Sequence, residues 1–499
     1  MKIMIVSPRR ERFEQGRMEF WEFGFMTKAA GMGTRKFSGT PLALPIIASL
    51  IPDADDIELT LIDENVEEID FNTDVDAVIL TFFTTAATRG YQIADQFREK
   101  NAKVIIGGCH ASMLPEEAKA HANSVAVGEA EALIPKIISD LRKGDLKQYY
   151  KVEESERPSL ENQPIPDWNR LKLDLYFNPT IQTMRGCPMR CEFCTVRIHW
   201  GPKYRYKPVE KVVAEVKALK EKFGRNTFFM IVDDDVAANR SRSKELFKAL
   251  IPLDIQWMSQ GSMAMAKDEE YLDLMTKSGG TRIIMGFESI SEKNLKEMRK
   301  NPANKAAEFC KNIKKIQSYG VALIGAFVFG FDGDDSTCFD NTANFIIENH
   351  IALPQLFALT PFPGTALFER LSKEGRILSR DWKKYTGSTV MFVPKNLSPG
   401  ELEEGYYYTI QKVYSYKALW TRLTGLWDLW DKYAKRSEVV LLKEKIDVLL
   451  LNENFRAVAN SYPICYKVDQ DEERYYKKEL QKCLKLFLNR RSQLLSFGE

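Results

Sequence analysis

Two blocks of alternating strand-like and helix-like segments, followed by a stretch with hardly any strand pattern, predict an α/β chain of three parts. The parts are an N-terminal doubly wound sheet over residues 1–148, a partial α/β barrel over 176–380 and a mostly helical C-terminal extension over 381–499. Residues 149–175 read as the connection between the first two. At 499 residues the chain is too long to bury one ordinary core, which agrees with several domains.

In the first block the strand candidates are 3–7, Glu58–Asp63, 77–82, 104–106 and Ser124–Val127, with helical stretches such as 91–100 between them. That order predicts a parallel, Rossmann-like sheet, whose ligands bind beyond the carboxyl ends of the strands. The loops at those ends are Thr84 to Thr88, Gly107-Gly108-Cys109-His110 and Gly128-Glu129. The run Glu153-Glu154-Ser155-Glu156-Arg157-Pro158, followed by Pro164 and Pro166, has the charge and proline content of a linker.

The second block carries apolar strands that end in polar groups. Phe228 to Val232 runs into Asp233, Asp234 and Asp235; 255–261 ends at Gln260-Gly261; 282–289 ends at Glu288-Ser289; 323–331 follows. In an α/β barrel such strand ends converge on one rim. The plain alternative for the aspartates is a helix N-cap, a position that carboxylates favour. The last part holds Tyr406, Tyr407, Tyr408, Trp420, Trp427 and Trp430 in helical patterns, after the apolar run Val390-Met391-Phe392-Val393. Aromatics at helical spacing serve as core, or as a cap that keeps water from a reaction.

Three of the eight cysteines fall in the run Cys187-Pro188-Met189-Arg190-Cys191-Glu192-Phe193-Cys194, after a short strand and a glycine at 186. A four-iron cube takes four thiolates, so three leave one iron open. A zinc knuckle is the alternative, but it calls for a second ligand pair, and the nearby candidate is His199 alone. Cys109, Cys310, Cys338, Cys465 and Cys483 are scattered and read as free thiols.

Net charge is +2, from 71 basic and 69 acidic residues, which gives no field for nucleic acid or an anionic membrane surface. No run reaches the roughly 18 apolar residues of a transmembrane helix, and the apolar start is too short for a signal peptide. These features predict a cytoplasmic protein with a small-molecule substrate and no nucleic-acid partner.

The C-x3-C-x2-C spacing, with Phe193 before the last cysteine, resembles the radical S-adenosylmethionine (SAM) superfamily, and the strand ends extend the likeness over most of the second block. The resemblance implies a [4Fe-4S] cluster on Cys187, Cys191 and Cys194, with SAM on the open iron. It also implies adenine at the Phe193 backbone and polar SAM contacts from Asp234, Gln260 and Glu288. Asp233 to Asp235 stand where many members have a Gly-Gly-Glu turn.

The first block resembles the cobalamin-binding domain of one large radical SAM class. The likeness rests on the order of its elements, the Pro41-Leu42-Ala43-Leu44-Pro45 helix start, the Gly107 to His110 turn and Val127-Gly128-Glu129. It implies cobalamin near Thr84, Gly107, Gly108, His110, Gly128 and Glu129. None of His110, His121, His199 or His350 stands in an Asp-x-His-x-x-Gly signature. Either cobalamin binds without a histidine ligand or the domain has lost it, and for His110 a structural role stands beside cobalt ligation.

The C-terminal part resembles the extension of a subgroup with hopanoid and bacteriochlorophyll enzymes. Together these likenesses imply C-methylation of an unactivated carbon, on an apolar substrate if the aromatic helices meet it, with a reductant such as ferredoxin or flavodoxin. The alternatives are radical coupling, cyclisation or rearrangement without cobalamin methyl transfer, and a non-catalytic iron-sulfur protein.

Overall fold

In the computed structural model, residues 1–10, 37–52, 55–224, 227–300 and 305–496 are described. The chain forms two compact units. The described residues of the first lie within 1–10, 37–234 and 360–386, and those of the second within 235–359 and 387–496.

The first unit is built on the strands β1 (Lys2–Ser7), β2 (Phe37–Gly39), β3 (Glu58–Asp63), β4 (Ala77–Thr81), β5 (Lys103–Gly107), β6 (Ser124–Val127) and β7 (Tyr149–Lys151). All but β2 lie in one parallel sheet of order β3-β1-β4-β5-β6-β7. Ile3 to Val6, Ala77 to Leu80 and Val104 to Ile106 are almost wholly buried, as strands covered on both faces must be. From β1 the order runs one way to β3 and the other way to β4, so the topological switch lies at β1, and the ligand crevice of such sheets opens outside the carboxyl ends there.

The stretch that reads as a linker is built into this unit. It opens with β7, paired in register with β6, and continues to Trp168, which is 3% exposed; the Asp167 N–H donates to the Pro45 carbonyl at 3.0 Å. Next come β8 (Tyr176–Asn178), which pairs with β2, and β9 (Thr180–Ile181). β10 (Met184–Arg185) and β11 (Arg205–Tyr206) pair antiparallel across the neck of the cysteine loop. β12 (Phe228–Ile231) lies parallel to β9.

The second unit carries β13 (Gln256–Gly261), β14 (Gly280–Glu288), β15 (Ala322–Phe329) and β16 (Leu353–Ala358), each parallel to the next and joined through helices. Phe287 stacks on Phe327 with ring centroids 5.0 Å apart inside this layer. The chain then becomes helical: Pro399–Val413, Tyr416–Tyr433, Glu438–Ala459 and Gln470–Ser496. Ser398, Ser415 and Ser437 cap the first three, and Ser398 forms a reciprocal capping box with Glu401.

Tyr406, Tyr407, Trp427 and Trp430 are at most 4% exposed, so these aromatics are core. Among the described residues no helix is long and apolar enough to cross a membrane. One cation is sealed inside the second unit. Arg422 has no exposed surface and donates to the carbonyls of Ile351, Ala352 and Val413 and to Asn452 Oδ1, at 2.7–3.0 Å. Burial pulls its guanidinium down to about 10.

Replacing Arg422 with methionine keeps an unbranched apolar stem but orphans those acceptors. The expected loss is about 3 kcal/mol, seen as a lower urea midpoint for the transition that unfolds the second unit.

Candidate functional site

The cysteine loop leaves β10 at Gly186 and returns at β11. Gly186 sits at φ +91, and a Cβ there would lie 2.1 Å from the Lys203 carbonyl oxygen, so only glycine closes the turn. The Cys187 N–H donates to the Gly201 carbonyl at 3.1 Å, and the Cys194 N–H to the Cys191 carbonyl at 3.2 Å. Two outside groups fix the loop further. Glu192 accepts from Arg370 at 2.6 and 2.9 Å, and its carbonyl accepts the Leu367 N–H at 3.0 Å. Asp233, 2% exposed at the end of β12, accepts the N–H groups of Thr183 and Met184 at 2.6 and 3.1 Å.

Cys187, Cys191 and Cys194 are half-buried thiols outside any disulfide. Burial above all pushes the Cys194 thiol up to about 12, against a backbone hydrogen bond at Val196, and the neighbouring Cys191, Cys187 and Asp234 add to the rise. A thiol whose neighbours oppose its ionisation suits a ligand that brings its own positive charge, because a metal inverts this logic and holds thiolates outright. Among the described residues no three His, Cys, Asp or Glu side chains are grouped as round a single ion. A cube spreads its ligands, one thiolate to each iron. Three free thiols on one short loop are a donor set that fits a cube with one iron left over.

At the carboxyl ends of the first sheet the structure brings Thr84 and His110 together. His110 has no exposed surface; its Nδ1 lies 3.2 Å from Thr84 Oγ1 and its Nε2 3.2 Å from Glu117 Oε1. The same Glu117 oxygen accepts from Tyr91 at 3.0 Å and from Trp382 Nε1 at 2.8 Å. The ring is thus clamped from both sides. Gly107 ends β5; Gly108 and Gly128 have φ of +90 and +110. A Cβ on Gly108 would meet Phe82 N at 2.8 Å, and one on Gly128 would meet Val152 Cβ at 3.0 Å.

Glu129 is 2% exposed and accepts from Arg157, Arg185 and Arg205. Phe83, beside Thr84, is 63% exposed on the ligand side of the sheet.

Of the residues matched to SAM, Phe193 is half-buried in the cysteine loop. Asp234 lies within electrostatic reach of Cys194 and of Cys109, whose buried thiol is pushed up to about 12. In the second unit Gln260 is an exposed side chain, and its carbonyl accepts the Val236 N–H at 2.9 Å. Asp235 accepts the N–H groups of Ala237 and Ser262 at 2.9 and 3.0 Å. Neither Asp233 nor Asp235 caps the helix Arg240–Leu250, whose cap is Asn239; their carboxylates are spent on loop and strand amides instead.

Glu288 ends β14 at φ +62, a left-handed conformation that costs an ordinary side chain. It pairs with Lys300 at 2.6 Å. Gly286 makes room for that pair, since a Cβ there would lie 2.4 Å from Glu288 Oε1 and 3.0 Å from Lys300 Nζ. Lys300 was missing from the sequence reading because only the fold carries it back to the strand end.

The Radical SAM superfamily profile matches residues 181–346, and a domain of unknown function, DUF4070, matches 365–488. The chain is 31% identical over 395 residues to bacteriochlorophyllide d C-12(1)-methyltransferase of Chlorobaculum tepidum, covering 77% of this chain and 85% of that one. The chain belongs to the radical SAM superfamily. Within it, it shares a family with that methyltransferase. A [4Fe-4S] cluster and SAM are the cofactors that membership brings, and the protein is an enzyme.

The chain is also 29% identical over 395 residues to bacteriochlorophyllide d C-8(2)-methyltransferase of the same organism, covering 76% and 87%. Among solved structures it resembles the radical SAM methyltransferase TsrM from Kitasatospora setae, with cobalamin and a [4Fe-4S] cluster bound there. The TM-score is 0.60 over 92% of this chain and 99% of that one. At 12% identity that likeness is one of fold.

The clamp on His110 gives a pH dependence of fixed sign. Burial pushes the Glu117 carboxyl up, but donation from His110, Tyr91 and Trp382 outweighs it and holds the carboxyl below its ordinary value. Its stabilisation is complete above the unfolded value of about 4.3 and fades as pH falls through the lower folded value. Glu117→Gln is expected to flatten the fall in melting temperature below about pH 5, measured by circular dichroism melts of both proteins.

Proposed function

We propose that this enzyme is a cobalamin-dependent radical SAM methyltransferase that adds a methyl group to an unactivated carbon of a small molecule. The observation that carries the reading is the family shared with a bacteriochlorophyllide methyltransferase. That alignment of 395 residues is far longer than the radical SAM profile span of 181–346 and takes in much more than the cysteine loop.

When bound, the cluster supplies the electron that cleaves SAM and the corrinoid carries the methyl group. The chain's own part is placement and shielding. Cys187, Cys191 and Cys194 hold three irons and leave the fourth to SAM. The Phe193 backbone presents a polar edge for adenine, and Asp234 brings a carboxylate beside the thiols. In this reading the corrinoid lies along the carboxyl ends of the first sheet, near Thr84, Gly107, Gly108 and Gly128. His110 braces that rim through Thr84 and Glu117 and gives cobalt no imidazole. The likeness to bacteriochlorophyllide methyltransferases supports an apolar substrate, which the buried aromatic helices do not; reduction by ferredoxin or flavodoxin and a cytoplasmic setting complete the proposal.

Anaerobic purification after growth with cobalamin, then reconstitution with iron and sulfide, tests it. Expected are a corrinoid absorption spectrum and 5′-deoxyadenosine release under titanium(III) citrate. In Cys191→Ala, deoxyadenosine release is expected to vanish while the corrinoid stays. Deoxyadenosine without bound corrinoid would turn the reading to radical coupling or cyclisation, and a reconstituted chain that never cleaves SAM would sink both.

A further inference from the structure

Glu129 closes β6 at the ligand end of the first sheet, yet its carboxylate belongs to the cysteine loop. Arg185 Nη1 donates to it at 2.9 Å, Arg205 Nη1 and Nη2 at 3.0 and 2.7 Å, and Arg157 Nη1 at 3.2 Å. Arg185 also pairs with Glu131 at 2.9 Å. Three guanidiniums against two carboxylates leave one positive charge in a site where Glu129 and Arg185 are each 2% exposed.

The far ends of these arginines grip the loop. Arg185 and Arg205 are register partners in the β10–β11 pair, where like charges directly opposite repel. A shared carboxylate is what lets them face each other. Arg157 donates to the carbonyls of His199 and Ile198 at 2.6 and 3.1 Å, and Arg205 to that of Trp200 at 2.7 Å. Those are the last carbonyls of the helix Val196–Trp200, orphaned by its end and suited to cations. Arg185 stacks over Trp200, 4.4 Å from the ring centroid. Arg185 is two residues from Cys187, so the network frames both sides of the thiol loop.

We propose that Glu129 is a positioning residue for the iron-sulfur cluster: through three arginines it closes the neck of the cysteine loop and balances the positive charge beside the cluster. The proposal rests on the reading of Cys187, Cys191 and Cys194 as cluster ligands. It takes Glu129 out of direct corrinoid binding. Neighbours of this kind orient ligands without touching the metal, and losing one costs roughly 10- to 100-fold in metal affinity.

The test uses the full chain with its reconstituted cluster, and reads the rate of iron loss to EDTA and the cluster's midpoint potential. Glu129→Gln keeps the size and removes a negative charge. Iron loss is expected to quicken roughly 10- to 100-fold, and the potential to rise, because added positive charge favours the reduced cluster. Glu129→Asp should return the potential towards the wild type. Arg157→Met releases the same helix end but removes a positive charge, so iron loss quickens while the potential falls.

Mere loosening of the loop would move both potentials the same way, and that result, or no shift in either, overturns the proposal. If Glu129→Gln does not fold, Arg157→Met decides alone: a fall supports the proposal, and a rise or no change overturns it. A Glu129→Gln protein that loses affinity for added hydroxocobalamin while its cluster matches the wild type also overturns it. A wild-type chain that takes up no cluster defeats the underlying reading, an outcome distinct from the others.

Discussion

Holding three thiols on one short loop, where the neighbours of Cys194 oppose its ionisation, is the constraint on which the rest of the first unit depends. Nothing in the short run from Cys187 to Cys194 can impose that arrangement by itself, since it contains no regular element. The frame is external. Gly186 lets the backbone cross against Lys203, Asp233 ties β12 to the strand that delivers the loop, and the Glu192–Arg370 pair pins its middle. The arginines round Glu129 bind the end of the following helix. Each of these bonds fixes backbone or removes a charge imbalance, so the loop is shaped by its surroundings.

The first sheet serves the same end from another side. Its strand order puts the switch at β1, and the loops after β4, β5 and β6 bring Thr84, the Gly107-Gly108 turn and Gly128 to one edge. The helix Ala366–Lys373 and Trp382, distant in sequence, belong to this unit: the first holds Glu192, and the second donates to Glu117 behind His110. His110 has both nitrogens engaged and no exposed surface, which is the observation behind its proposed role as a brace of the rim. In the second unit the aromatic helices bury their rings among themselves, and a fully enclosed guanidinium satisfies backbone carbonyls of two segments and the side-chain oxygen of Asn452.

Much of this was legible beforehand. Short apolar runs place five of the strands in the first sheet within a residue or so, because burial on both faces leaves a near-continuous apolar signature. Tyr149–Lys151 was not legible as a strand. It is three residues long, and only its register with Val125, Ala126 and Val127 makes it one. The three aspartates after β12 looked alike in sequence; Asp233 and Asp235 diverge from Asp234 only once the amides of Thr183, Met184, Ala237 and Ser262 are in place.

The sequence alone determined the chemistry, because the spacing of three cysteines and the residues between them are local facts that no fold can alter. The tertiary structure decided the assignment of partners. Glu129 sat in a ligand-loop motif and proved to face three arginines 28, 56 and 76 residues away. Charge pairing inside a protein is settled by which groups are buried together, and long-range burial is not written in any short window of sequence.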